Sequence, residues 1–133
     1  MRRSQWDKLR KQVYAKAGNT CEICGAKGKL NCHEFWKYDD REYIQKLKGF
    51  RALCNMCHFI AHFGFAEVLA SREELDLEAV IKHFMKVNRV NRKVFENHSK
   101  ESFAIWRQRS LQKKWRTDLG KWSSLVSIKK RRV

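Results

Sequence analysis

The sequence predicts a single α+β domain, in which a strand–strand–helix unit lies between an N-terminal helix and two or three C-terminal helices. Three observations favour this fold. Two C-x2-C pairs bracket a segment rich in aromatic residues, which is typical of strands. Apolar residues recur at helical spacing both before and after that segment. The 133 residues suffice for one modest core, so we expect one domain over 1–133.

Four of the five cysteines form two pairs, Cys21–Cys24 and Cys54–Cys57, with 29 residues between the pairs. Four thiolates suit one tetrahedral Zn²⁺, which would be structural because no coordination position stays open. The alternatives are two disulfides, which need an oxidising compartment, or four unrelated buried thiols. Cys32 is left over, either as a small core residue or as a further metal ligand.

The elements of the front half follow in order. A helix is predicted from Ser4 to Ala17, with one apolar stripe made by Trp6, Leu9 and Val13. Residues 29–40 and 43–53 are predicted as two strands joined by a turn, with Gly49 at a bulge or a close backbone approach. The second cysteine pair leads into a helix from Asn55 to about His62.

Two long helices are predicted in the back half. The first begins at a capping box on Ser71 or a cap on Asp76 and ends near Asn88, because its apolar residues recur at i, i+3, i+4 and i+7. The second spans Arg92–Trp115. Its last turns gather five basic residues: Arg107, Arg109, Lys113, Lys114 and Arg116.

Charge points to a polyanionic partner. Residues 1–81 hold 14 basic and 11 acidic residues, whereas residues 82–133 hold 16 and 3. With a net charge of +16 and five tryptophans, we expect nucleic acid, with DNA favoured over RNA. Trp115 and Trp122 would either stack on unpaired bases or pack internally. The basic residues above would contact phosphates together with four residues of the tail: Lys129, Lys130, Arg131 and Arg132.

Composition also excludes several classes of protein. Hydrophobic residues make up 43% of the chain, which is too many for a disordered tail. No apolar run reaches the ~18 residues of a membrane span, and the N-terminus lacks the apolar core of a secretory signal. We therefore expect a cytoplasmic protein with no membrane partner. Within its single domain we distinguish a zinc-bearing unit (1–70), a helical extension (71–122) and a basic tail (123–133).

Three histidine side chains are predicted to lie close together in the fold. His33 lies on the first predicted strand, and His58 and His62 share one face of the helix that follows the second strand. One imidazole could act as a general base toward water, and the other two could hold a divalent cation against a scissile phosphate. The plainer alternative is that His58 or His62 is a zinc ligand or a helix-surface residue.

The order C-x2-C, strand histidine, LC-x2-CH-x3-H resembles the HNH nucleases of the His-Me finger (ββα-metal) superfamily. The stretches HEFWKYDD, HFMKVN and FAIWRQRS extend the resemblance to small stand-alone bacterial and phage members, over roughly residues 5–120. The resemblance implies a zinc-pinned ββα-metal unit, DNA phosphodiester hydrolysis, and a bacterial or phage-infected cell. His33 would be the base, His58 and His62 would bind a catalytic Mg²⁺, Mn²⁺, Ni²⁺ or Zn²⁺, and the paired cysteines would bind structural zinc.

Two positions depart from the family's pattern. Cys32 stands where an Asp or His that binds metal often precedes the base, and thiolate suits softer ions than Mg²⁺. Gly49 stands where the middle Asn of the pattern is usual. A non-catalytic, zinc-containing nucleic-acid-binding protein of the same fold, acting as a regulator, is therefore the alternative function. A protein-binding zinc module is a third.

Overall fold

The computed structural model describes residues 3–125 and has the predicted α+β class, with five α-helices and a three-stranded sheet in that range. The sheet order is β1-β2-β3. In chain order the elements are α1 (Arg3–Lys16), β1 (Leu30–Asp39), β2 (Ile44–Cys54), α2 (Asn55–Ala61), α3 (Phe63–Ser71), α4 (Leu77–Asn88), α5 (Arg92–Ser110), β3 (Arg116–Asp118) and a final 3-10 helix (Gly120–Leu125).

Strands β1 and β2 form the predicted antiparallel hairpin, and Gly49 lies at the predicted irregularity. Phe35 pairs with Gly49 but Trp36 pairs with Leu47, so β2 carries one extra residue at this point. Gly49 has φ +156°, and a Cβ built there would lie 3.0 Å from Cε1 of Phe35. Both the backbone conformation and the close approach of the Phe35 ring therefore favour glycine.

The two faces of the hairpin are covered by different helices. Side chains alternate along each strand, so neighbouring residues point to opposite faces. On one face, Trp6 of α1 packs edge-on against Phe50, with 6.1 Å between ring centroids. On the other face, His33 meets the rings of α2. Helix α2 follows β2 directly, which fixes the strand–strand–helix unit.

The sequence predicts α4 correctly, but it does not predict the structure of the segment just before α4. Helix α4 ends at Asn88 as predicted, and the side chain of Asp76 caps it by accepting the N–H of Ala79 at 3.3 Å. The capping box at Ser71 does not form, because Ser71 is the last residue of α3 and its hydroxyl donates to the Val68 carbonyl. Helix α3 itself was not predicted.

Helix α5 ends at Ser110, five residues before the predicted end at Trp115. The chain then turns back to the sheet, where β3 pairs in parallel with the start of β2. Trp115 packs edge-on against Tyr38 and Tyr43, at centroid distances of 5.9 and 5.7 Å. Contact with Tyr38 of β1 and Tyr43 of the hairpin turn outweighs the helical periodicity on which the prediction depended.

The core has two parts. Around the hairpin, the buried residues Cys21, Leu53 and Cys57 form one cluster. In the extension, Phe95 packs edge-on against Phe63 and Phe84, with centroids 5.3 and 5.2 Å apart. Within residues 3–125, none of the helices combines the length and the apolar character that crossing a bilayer requires.

We expect Gly49→Ala to destabilise the domain, because it adds a Cβ against Phe35 at a φ that L residues rarely adopt. The strained backbone alone costs about 1–3 kcal/mol, and crowding of the ring adds to this cost. Gly28→Ala is the matched control, since Gly28 has φ +114° but no atom within 4 Å of a built Cβ. Urea unfolding measures both variants. Equal losses of unfolding free energy would contradict a role for the Phe35 contact.

Candidate metal centres and basic surface

The four paired cysteines converge on one point, as predicted. Their sulfur atoms all lie within 4.8 Å of one another, and all are free of disulfides. Cys24 Sγ and Cys54 Sγ are 3.6 Å apart. A tetrahedron with metal–sulfur bonds of about 2.3 Å has edges of about 3.8 Å. The four-cysteine cluster therefore fits a metal ion such as Zn²⁺.

Two local turns place the sulfurs. After the first pair, the Gly25 N–H donates to the Cys21 carbonyl at 2.9 Å, and the left-handed φ of +76° at Gly25 permits this tight turn. At the second pair, Cys54 is the N-cap of α2, and its Sγ accepts the Cys57 N–H at 3.4 Å. The Cys54 thiol thus caps a helix from a position in which it could also bind a metal.

The surrounding groups shift the pKa values of Cys21 and Cys57 in opposite directions. Burial raises the pKa of Cys21, but the N–H groups of Cys24, Cys54 and Ile23 outweigh burial and lower it to about 6. Burial and the neighbouring sulfurs both raise the pKa of Cys57. A divalent cation would hold all four groups as thiolates, because coordination deprotonates a thiol.

The structure also brings the three predicted histidines together, and we call them the histidine triad. The candidate ligand nitrogens of His33, His58 and His62 lie within 4.8 Å of one another. Their ring centroids are 4.8–5.4 Å apart. A cation held by two or three of these imidazoles would keep coordination positions open for water or substrate, which a four-ligand structural site does not.

The lowered pKa values of His58 and His62 favour metal binding at neutral pH. Burial lowers the pKa of His58, and the neighbouring His62 lowers it further. Burial also lowers the pKa of His62, against the opposing influence of Glu34. Both shifts favour the neutral ring, which is the form that can offer a lone pair to a metal.

Cys32 joins neither cluster among the described residues. Alternation along β1 directs it away from His33, toward α1, where the Tyr14 hydroxyl lies against the Cys32 backbone. The structure therefore does not bring Cys32 to a metal site, although the sequence left that role open.

Sequence reasoning missed Arg51, which lies beside the triad. Arg51 is the direct cross-strand partner of His33, and its guanidinium carbon stands 4.3 Å from the centre of the Phe35 ring. The side chain is exposed and can reach a phosphate. Only the register of the hairpin reveals this neighbour, and the bulge at Gly49 sets that register.

The predicted basic residues separate into two groups. Exposed and available to a polyanion are Arg107, Lys113, Lys114 and Arg116. Arg109 is instead engaged within the protein: its Nε and Nη2 donate to the Asp40 carboxylate at 2.9 and 3.2 Å, and its guanidinium lies 4.2 Å from the Tyr38 ring centre. The tail residues Lys129, Lys130, Arg131 and Arg132 lie outside the described residues.

Both candidate stacking tryptophans are half-buried packing residues. In addition to its contacts with Tyr38 and Tyr43, Trp115 donates its indole N–H to the Arg109 carbonyl at 2.8 Å. Trp122 packs edge-on against Phe50 at 5.6 Å and faces Gly49. The internal packing alternative therefore describes both side chains.

Comparison of the chain with protein-family models, curated proteins and solved structures finds no match. What can be said of its function depends on its own residues and their geometry.

We expect the purified protein to hold zinc in the four-cysteine cluster, and Cys54→Ser to release it and unfold the domain. The reason is that metal binding supplies folding free energy, roughly 10–16 kcal/mol for structural zinc in small domains. Cys32→Ser is the matched control, because Cys32 lies outside the cluster. Elemental analysis and circular dichroism measure the outcome. A folded, zinc-free protein with reduced thiols would contradict the assignment.

Proposed function

We propose that this protein is a metal-dependent, HNH-type endonuclease that hydrolyses phosphodiester bonds in DNA. The observation that carries the proposal is the convergence of His33 from β1 with His58 and His62 from the end of α2. The four-cysteine cluster joins the chain just before this strand–strand–helix unit to the junction of β2 and α2, in an order that resembles zinc-containing HNH nucleases. The excess of basic residues after residue 81 suits a DNA partner.

In this proposal, His58 and His62 hold a divalent cation, which when bound stabilises negative charge on the leaving oxygen. His33 accepts a proton from the attacking water. The water oxygen bonds to phosphorus, the bond from phosphorus to the leaving ester oxygen breaks, and that oxygen takes a proton from solvent. Arg51, beside His33 on the neighbouring strand, contacts a non-bridging phosphate oxygen.

Two observations favour the alternative of a non-catalytic, zinc-containing nucleic-acid-binding protein. Gly49 occupies a backbone position that suits glycine and crowds a Cβ, so the Asn expected from the resemblance does not fit there. Cys32, which stands at a position that often ligates metal in the family, faces α1 instead. The alternative keeps the zinc and the basic surface but has no hydrolytic step.

We expect His33→Ala to lower the rate of plasmid cleavage by about 10²–10⁴, which is the usual contribution of a general base. Affinity for the divalent cation, measured by calorimetry on zinc-loaded protein, should stay near that of the wild type. His58→Ala should lower both the rate and the cation affinity. The matched control is His98→Ala, because His98 is an exposed histidine of α5 outside the triad.

The other possible outcomes of this experiment lead to different conclusions about His33. Unchanged cleavage by His33→Ala would show that His33 is not the base. A loss of cation affinity equal to that of His58→Ala would make His33 a metal ligand. Failure of the wild type to cleave with Mg²⁺, Mn²⁺, Ni²⁺ or Zn²⁺ would replace the proposal with the non-catalytic alternative.

We also expect DNA affinity to fall steeply with salt, because each neutralised phosphate contributes about 0.9 to the logarithmic salt slope. Replacing Lys113 and Lys114 with Ala should reduce the slope by up to about 1.8. Arg109→Ala is the contrasting variant and should change the slope little, because Asp40 already pairs with Arg109. Fluorescence anisotropy over a salt series measures both. A slope unchanged by the double replacement would place the DNA interface elsewhere.

A further inference from the structure

A side chain of the helical extension reaches the four-cysteine cluster. His83, on α4, has its Nε2 3.2 Å from the Sγ of Cys57. Cys57 is one of the most buried residues of the domain, with 2% of its surface exposed. We infer that His83 donates a hydrogen bond to the zinc-bound thiolate of Cys57, and so positions that ligand and fixes α4 to the metal centre. The inference depends on metal in the cysteine cluster and holds whether or not the protein cleaves DNA.

The charge of the cluster explains why such a donor is needed. Zn²⁺ with four thiolates carries a net charge of −2, and burying that charge without hydrogen bonds is costly. Backbone N–H groups serve the other sulfurs for which contacts are seen: those of Cys24 and Ile23 approach Cys21, and that of Cys57 approaches Cys54. At Cys57 the contact comes from a ring nitrogen of a distant element.

The packing of α4 holds the ring in place. Val80 lies three residues before His83, and Phe84 lies one residue after it. These two residues are 0% and 8% exposed and form the buried face of the helix. Phe84 in turn packs edge-on against Phe95 of α5. Because α4 is anchored by these apolar contacts and capped by Asp76, little further ordering is needed to direct His83 at the sulfur.

Sequence spacing could not show this contact, since 26 residues separate the two partners along the chain. The competing role for His83 is that of a zinc ligand itself. The two roles require different ring tautomers: a donor carries its proton on Nε2, whereas a ligand offers the Nε2 lone pair. The experiment must therefore distinguish donation to sulfur from coordination of the metal.

The test compares the full-length protein with His83→Ala, His83→Gln and the control His98→Ala. Removing a hydrogen bond to a metal ligand typically lowers metal affinity about 10–100-fold. We expect this loss of zinc affinity in His83→Ala, by chelator competition, with recovery in His83→Gln, whose amide N–H can replace the ring N–H. In Co²⁺-loaded protein, the sulfur-to-metal charge-transfer band should shift in His83→Ala while the bands of a four-sulfur site remain. His98→Ala should match the wild type in both measurements.

Several results would overturn the inference. Zinc affinity and charge-transfer bands of His83→Ala that match those of the wild type would leave His83 with no influence on the thiolate. Visible Co²⁺ bands that report a changed donor set would make His83 a ligand instead. If His83→Ala does not fold, His83→Gln decides: affinity near wild type supports donation, and affinity as low as that of Cys57→Ser refutes it. None of these measurements uses DNA, so failure of the nuclease proposal remains distinguishable.

Discussion

Four cysteine sulfurs from the two ends of the hairpin meet at one point, and the positions of the hairpin and of α2 follow from this meeting. Cys21 and Cys24 lie in the turns before β1, and Cys54 and Cys57 lie where β2 passes into α2. A metal held there would join the entrance of the hairpin to its exit. Because a domain of this size has a small core, the bonds to that metal would add folding free energy to what apolar burial provides.

The same constraint determines where the histidine triad can form. Because Cys54 caps α2, a residue of the four-cysteine cluster also fixes where that helix begins. His58 lies about one helical turn after Cys54 and His62 about two. Both rings pack edge-on against the ring of His33. The structural cluster and the candidate catalytic cluster are therefore parts of one arrangement. The hydrogen bond that we infer from His83 extends that arrangement into α4.

The basic surface is connected to the sheet by polar and aromatic contacts. Arg109 forms an ion pair with Asp40, and its guanidinium lies over the Tyr38 ring. Trp115 packs edge-on against the same ring. These contacts bring the end of α5 to the turn of the hairpin, and the exposed cations on either side of Arg109 lie on the same structural body as the triad. Arg109, which the sequence predicts as a phosphate contact, is thus engaged within the protein.

Features with a local cause can be predicted from the sequence. Cysteine spacing predicts the four-cysteine cluster, the aromatic segments predict the hairpin, and apolar periodicity predicts the end of α4. The early end of α5, the pairing of β3, and the places of Arg51 and His83 beside the two clusters become visible only in the folded chain. Each of these features depends on contact with an element far away in the chain. Periodicity and spacing describe which residues share one helix or strand, but register and packing between elements decide which side chains meet.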